Sequence, residues 1–133
     1  MMRSLALALL LTATACAERP APTPAPPPTV QLNRTQWIDD EGGFNAPLLE
    51  FTDSRANGFT GCNRFFAQME QNGPALTFTG ISTTRRACSP DLMALESDFV
   101  ARLEGTRAAR LEGDALVLLD VNEVELARFK RQL

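Results

Sequence analysis

The first fact about this chain's chemistry is an absence: 133 residues include no histidine. The residue that most invites a chemical reading is Cys62, in the stretch "GFTGCNRFF" from Gly58 to Phe66. It is a candidate nucleophile, metal ligand or disulfide partner. A cysteine hydrolase activates its thiol with a nearby imidazole, and none exists here. Structural zinc takes four Cys and His ligands, and three cysteines alone complete no such set. No C-x-x-C pair is present to support thioredoxin-like redox work. Cys62 and Cys88 remain as an even pair that favours a bridge, with two buried free thiols as the alternative. Such a bridge would close a loop of about 27 residues and contribute roughly 3.5 kcal/mol in the chain-entropy model.

The third cysteine, Cys16, reads differently. Residues 1–15, "MMRSLALALLLTATA", carry one basic residue, an apolar run from Leu5 to Leu11 and then small residues, the layout of a secretory signal. The run is too short to span a bilayer. "LTATAC" is similar to a bacterial lipobox, which implies cleavage before Cys16 and lipid on that residue. Several acyl chains on one cysteine anchor a protein stably. Ala17 in the next position, where an aspartate would argue otherwise, leans the address towards the outer membrane, facing the periplasm. An export route also provides an oxidising compartment in which a Cys62–Cys88 bridge persists.

Ala17 to Val30 holds six prolines in fourteen residues. Proline fixes its own torsion and extends the residue before it, so residues 16–30 form a lipid-anchored, polyproline-like tether. The folded part is expected over 31–133. Loss of residues 1–15 would remove Arg3 and leave 12 basic against 16 acidic residues, a net of −4. No basic run is present, so nucleic acid is not an expected partner. Asp39, Asp40 and Glu41 adjoin one another but lack the spacing of an EF-hand loop, and read as a solvated turn. No cofactor or metal is expected.

Across the folded part, Trp37 is a core aromatic, and Leu49 with Phe51 alternate along Pro47–Asp53 as a half-buried strand. Asn57-Gly58 predicts a hairpin turn. Gly61 predicts a bulge or a close backbone approach. A turn at Gly73-Pro74 precedes a strand with Leu76 and Phe78 inward. One helix follows: Ser89 as cap, Pro90 in the first position, Asp91 in the first turn, a Leu92/Leu95/Phe99/Leu103 stripe with Val100, and Gly105 as stop. Two strands flank Gly113-Asp114, and a last hairpin and strand end the chain. The expectation is α+β: a single small domain with a curved antiparallel sheet packed against one main helix.

"GFTGCNRFF", "LTFTGISTTRRAC", "LMALESDFVARL", "LEGDALVLLD" and "LARFKR", in this order and spacing, resemble the META domain family of HslJ-like bacterial envelope and heat-shock proteins. The resemblance runs from Trp37 through the Gly61-Cys62-Asn63-Arg64-Phe65 and Thr84-Arg85-Arg86-Ala87-Cys88 blocks to a helix with Glu96, and on to Arg128. The chain departs from the pattern at Ala67, Met69 and Arg86, the last placing a charge where an apolar residue is common. The resemblance implies an envelope-associated, non-catalytic protein with ties to stress tolerance. Asn63, Arg64, Thr84 and Arg85 are the candidate binding patch, where arginines could fork onto a carboxylate or phosphate of a periplasmic partner. The structural alternative assigns Gly61 and Asn63 to unusual backbone torsions and pairs Arg64 with an acid. An inhibitor-type module presenting "STTRRACSP" to a lytic enzyme or protease is a further alternative, and a histidine-free enzyme the last.

Overall fold

The computed structural model describes residues 19–25 and 28–133. The expected signal, Cys16 and its lipid, and part of the tether (16–18, 26 and 27) lie outside the described residues. Eight strands and one helix follow in order: β1 (Thr35–Asp39), β2 (Leu48–Thr52), β3 (Arg55–Phe59), β4 (Arg64–Asn72), β5 (Ala75–Thr83), α1 (Pro90–Gly105), β6 (Ala108–Glu112), β7 (Ala115–Leu119) and β8 (Glu125–Gln132). Neighbouring strands are antiparallel. β8 pairs back onto β1, with Trp37 opposite Arg131, so the expected curved sheet goes further and closes into a barrel.

Period-two patterning explains which faces point inward. β4 turns Phe65, Ala67 and Met69 into the barrel and Arg64, Phe66, Gln68 and Glu70 outward. Leu49 and Phe51, and Leu76 and Phe78, do the same on β2 and β5. Ala67 and Met69, two of the departures from the family pattern, are core packing positions. Trp37 is buried at the centre of β1, with its indole N–H donating to Thr35 Oγ1 at 2.7 Å. Val30 belongs to the same core, and its carbonyl accepts from Gln71 Nε2 at 2.7 Å, so packing reaches one residue into the segment expected as tether.

The barrel is weakest between β5 and β6, which register only at Ala75 and Ala108. α1 connects these two strands and fills the gap with Phe99 and Leu103, both buried. Phe99 meets the rings of Phe65 and Phe129 edge-on, with centroids 5.3 and 6.3 Å away. The helix begins at Pro90 as expected, although Ser89 occupies the cap position without a side-chain hydrogen bond. Gly105 is its last helical residue and not a left-handed stop. Thr106 ends the helix instead, through its N–H to Leu103 O and its hydroxyl to Arg102 O at 2.8 Å.

The hairpin expected at Asn57-Gly58 is not there. Both residues lie inside β3, and the two-residue turn is Asp53-Ser54, between the paired Thr52 and Arg55. Asp53 takes φ +52°, and Asn33 Oδ1 accepts its N–H at 2.8 Å, so a short polar residue supplies the left-handed turn. Gly58 is glycine for a different reason: a Cβ there would sit 1.8 Å from Leu48 O on β2.

Candidate functional site

The β3–β4 connection, residues 60–63, is where the singled-out residues gather. Thr60 starts it, fully buried. Its Oγ1 accepts from the N–H groups of Cys62 (3.2 Å) and Asn63 (2.9 Å) and donates to Glu96 Oε2 on α1 at 2.6 Å. Short-range bonding of this kind lets a threonine hold a tight loop. Gly61, the next residue, has φ +99°, and a Cβ on it would lie 2.5 Å from Leu95 Cδ2. The close approach expected at Gly61 is therefore to the helix.

Cys62 is bonded to Cys88, 26 positions further along the chain, with the Cα atoms 6.0 Å apart. The bridge ties this loop to the segment entering α1. Asn63 makes a second tie. Its Oδ1 accepts from Arg86 N (2.7 Å) and Thr84 Oγ1 (3.0 Å), and its Nδ2 donates to Arg86 O (3.2 Å), Cys62 Sγ (3.3 Å) and Glu96 Oε1 (3.3 Å). Thr84 exchanges further bonds with the backbone of Arg64, through Arg64 N to Thr84 Oγ1 and Thr84 N to Arg64 O.

The four candidate patch residues thus divide into two kinds. Asn63, buried, and Thr84, exposed, direct their side-chain hydrogen bonds to one another and to the backbone of Arg86 and Arg64. Arg64 and Arg85 are exposed, and neither guanidinium has an ion pair among the described residues. The acid partner expected for Arg64 in the structural alternative is therefore not there among those residues. Arg86 joins them: its backbone is clamped by Asn63 while its side chain stands free and exposed. Three arginines unpaired among the described residues consequently leave one edge of an acidic chain. The cations of α1 and β6–β8 contrast with them. Arg102, Arg110, Arg128 and Lys130 pair with acids, Arg107 binds carbonyls, and Arg131 lies 5.4 Å over the Trp37 ring.

Sequence reasoning overlooked Thr60 and gave Glu96 no contact. The signal for Thr60 was a threonine two and three residues ahead of backbone N–H groups in a glycine-containing loop. The acidic run is engaged in turn structure: Asp39 Oδ1 accepts from Glu41 N at 2.9 Å, and Asp40 pairs with Lys130. Among the described residues no group of three or more Cys, Asp or Glu is placed to hold a metal ion, and no helix is long and apolar enough to cross a membrane.

The META domain model matches residues 28–133. The chain belongs to the META domain family. Two solved structures share the fold. One, described as an NMR structure of a protein from Burkholderia xenovorans, is 20% identical with a TM-score of 0.59, covering 86% of this chain and 97% of its own. The other, also an NMR structure, is 21% identical with a TM-score of 0.58, covering 74% and 90%. No curated protein matches the chain. Within this META domain the Gly61–Phe65 and Thr84–Cys88 blocks form one structural unit, held by the bridge and Asn63 and closed by Glu96 of α1.

Proposed function

We propose that this META protein is a lipid-anchored envelope component that acts by binding and not by catalysis, holding its Arg64, Arg85 and Arg86 edge towards an acidic periplasmic protein. The carrying observation is that, among the described residues, these three guanidiniums lack partners on a backbone fixed by Asn63 and the Cys62–Cys88 bridge, in a chain with more acids than bases. Arginine forks suit carboxylates, and a fixed backbone lowers the ordering cost of using them. The residues of 1–16 support an envelope address, as does a disulfide, which persists in oxidising compartments. The tether gives the domain roughly 40 Å of reach at ~3.1 Å per residue. A role in envelope stress tolerance would follow from the partner.

Two measurements test this reading. Intact mass from native membranes is expected to show acylation at Cys16 and thiols at Cys62 and Cys88 that alkylate only after reduction. A soluble, unacylated chain would remove the anchor. A photo-crosslinking side chain at the exposed Ala87 is expected to give a discrete adduct that disappears in R64E/R85E/R86E. An adduct indifferent to charge reversal, or none, would remove the arginine edge.

One observation favours the inhibitor reading as the second choice. Residues 84–89 are largely exposed yet pinned by Asn63 at Thr84 and Arg86 and by the bridge at Cys88, as a rigid inserting loop would be. A hydrolase in the Ala87 adduct, inhibited by the purified chain, would select it.

A further inference from the structure

The outer face of β3, β4 and β5 carries a recess of ≈ 420 Å³ lined by Arg55, Asn57, Phe66, Gln68, Gly80 and Ser82. It forms where the β4–β5 register shifts between Phe66 and Gln68, a local irregularity that bends a sheet. Phe66 points outward here with 51% of its surface exposed. A Cβ on Gly80 would meet nothing within 4 Å, so that side stays open. Among the described residues the side chains of Arg55, Asn57, Gln68 and Ser82 make no hydrogen bond or ion pair.

Two planar amides, a hydroxyl and a guanidinium thus surround a half-exposed aromatic ring. Each amide offers a donor and an acceptor side by side, which matches neighbouring hydroxyls. A phenyl face accepts the C–H face of a sugar ring through dispersion and its negative quadrupole. The guanidinium adds a fork for a carboxylate. We propose that this recess binds a saccharide of one or two rings that bears a carboxylate. Its volume lies at the small end of ligand sites, roughly 300–1,000 Å³. Glu50, opposite Asn57, and Glu70, beyond Gln68 on the same face of β4, flank the recess and disfavour a polyanion such as nucleic acid, whose phosphates need a basic cluster. A ligand with one acidic group beside neutral hydroxyls fits that charge layout. The site uses neither Arg85, Arg86 nor the tether, so it stands or falls apart from the reading above.

Calorimetric titration of the full, disulfide-bonded chain tests it with two probes. One is the disaccharide of N-acetylglucosamine and N-acetylmuramic acid, which carries one carboxylate; the other is its neutral counterpart, diacetylchitobiose. The acidic disaccharide is expected to bind more tightly. Phe66→Ala should weaken both at least about tenfold, the loss of one stacked ring, while Arg55→Gln should bring the acidic probe down to the neutral one. Both positions are exposed, so circular dichroism of each variant should match the parent. No heat from either sugar at millimolar concentration, equal affinity for the two, or binding unaffected by Phe66→Ala would each overturn the assignment.

Discussion

Asn63 has five hydrogen-bond contacts from one buried amide, and it decides how the arginine edge is held. Replacing a buried, satisfied amide leaves its partners desolvated and unpaired at about 1–3 kcal/mol per group. Asn63→Ala is therefore expected to lower unfolding free energy by about 2–3 kcal/mol, read as a fall in the urea midpoint. Asn63→Asp separates geometry from charge. It keeps the acceptor for Arg86 N and Thr84 but sets a carboxylate beside Glu96, where two facing carboxyls resist ionising together. Its deficit should be large at pH 7 and shrink towards pH 4, as one of the pair takes up a proton. A variant indistinguishable from the parent at both pH values would mean that the bridge alone holds this edge. The sequence pointed to Asn63, as a patch residue or as a structural one, but it lists an amide without revealing that Arg86 and Thr84 fold back onto it.

At the scale of elements, α1 and the strands tell different stories about legibility. Pro90, the Phe99/Leu103 stripe, the Gly73-Pro74 turn and the Gly113-Asp114 turn were readable because each depends on local torsion or on a short period. One misplaced turn and one feature beyond the expected curved sheet have a common physical origin in contacts distant along the chain. Asn57-Gly58 looked like a turn because the same dipeptide serves turns and close approaches, and only the passage of β2 over Gly58 separates them. Closure of the barrel depends on β8 meeting β1 across nearly the whole domain, which no window of sequence displays. The helix fills the notch this closure leaves between β5 and β6, so its core residues should be among the costliest to truncate. Phe99→Ala removes a ring in contact with Phe65 and Phe129, and an expected loss of about 3–5 kcal/mol would consume much of the ~5–15 kcal/mol typical of a domain. Val100→Ala, on the same helix but half-buried, should cost clearly less. Equal losses would mean that α1 lies on the barrel without closing it.

Over the whole molecule, acids outnumber bases, and β6–β8 show how the excess is contained. Val117 is fully buried although its neighbours in register are the outward-facing Arg110 and Arg128. Arginine stems in such positions can cover an apolar neighbour, and here the heads bind Glu112 and Glu125. Hydrogen bonds from Arg128, and then from Arg110, hold the Glu112 carboxyl below its ordinary value of 4.5, and Arg128 does the same for Glu125. Because both carboxyls have lower pKa values folded than unfolded, the unfolded chain binds more protons near pH 4. The stability they contribute is present above about pH 4.5 and is lost as pH falls through the depressed values. Solvent exposure keeps the effect small, so the difference between two proteins is the quantity to measure. Arg128→Met keeps an apolar side chain opposite Val117 and removes the charge. Its urea midpoint is expected to fall below the parent's at pH 7, with the gap narrowing as pH drops from 5 to 3 and also in 1 M salt, where the Debye length is about 3 Å. Parallel pH curves would assign Arg128 to packing alone and leave Glu112 and Glu125 without influence on acid stability.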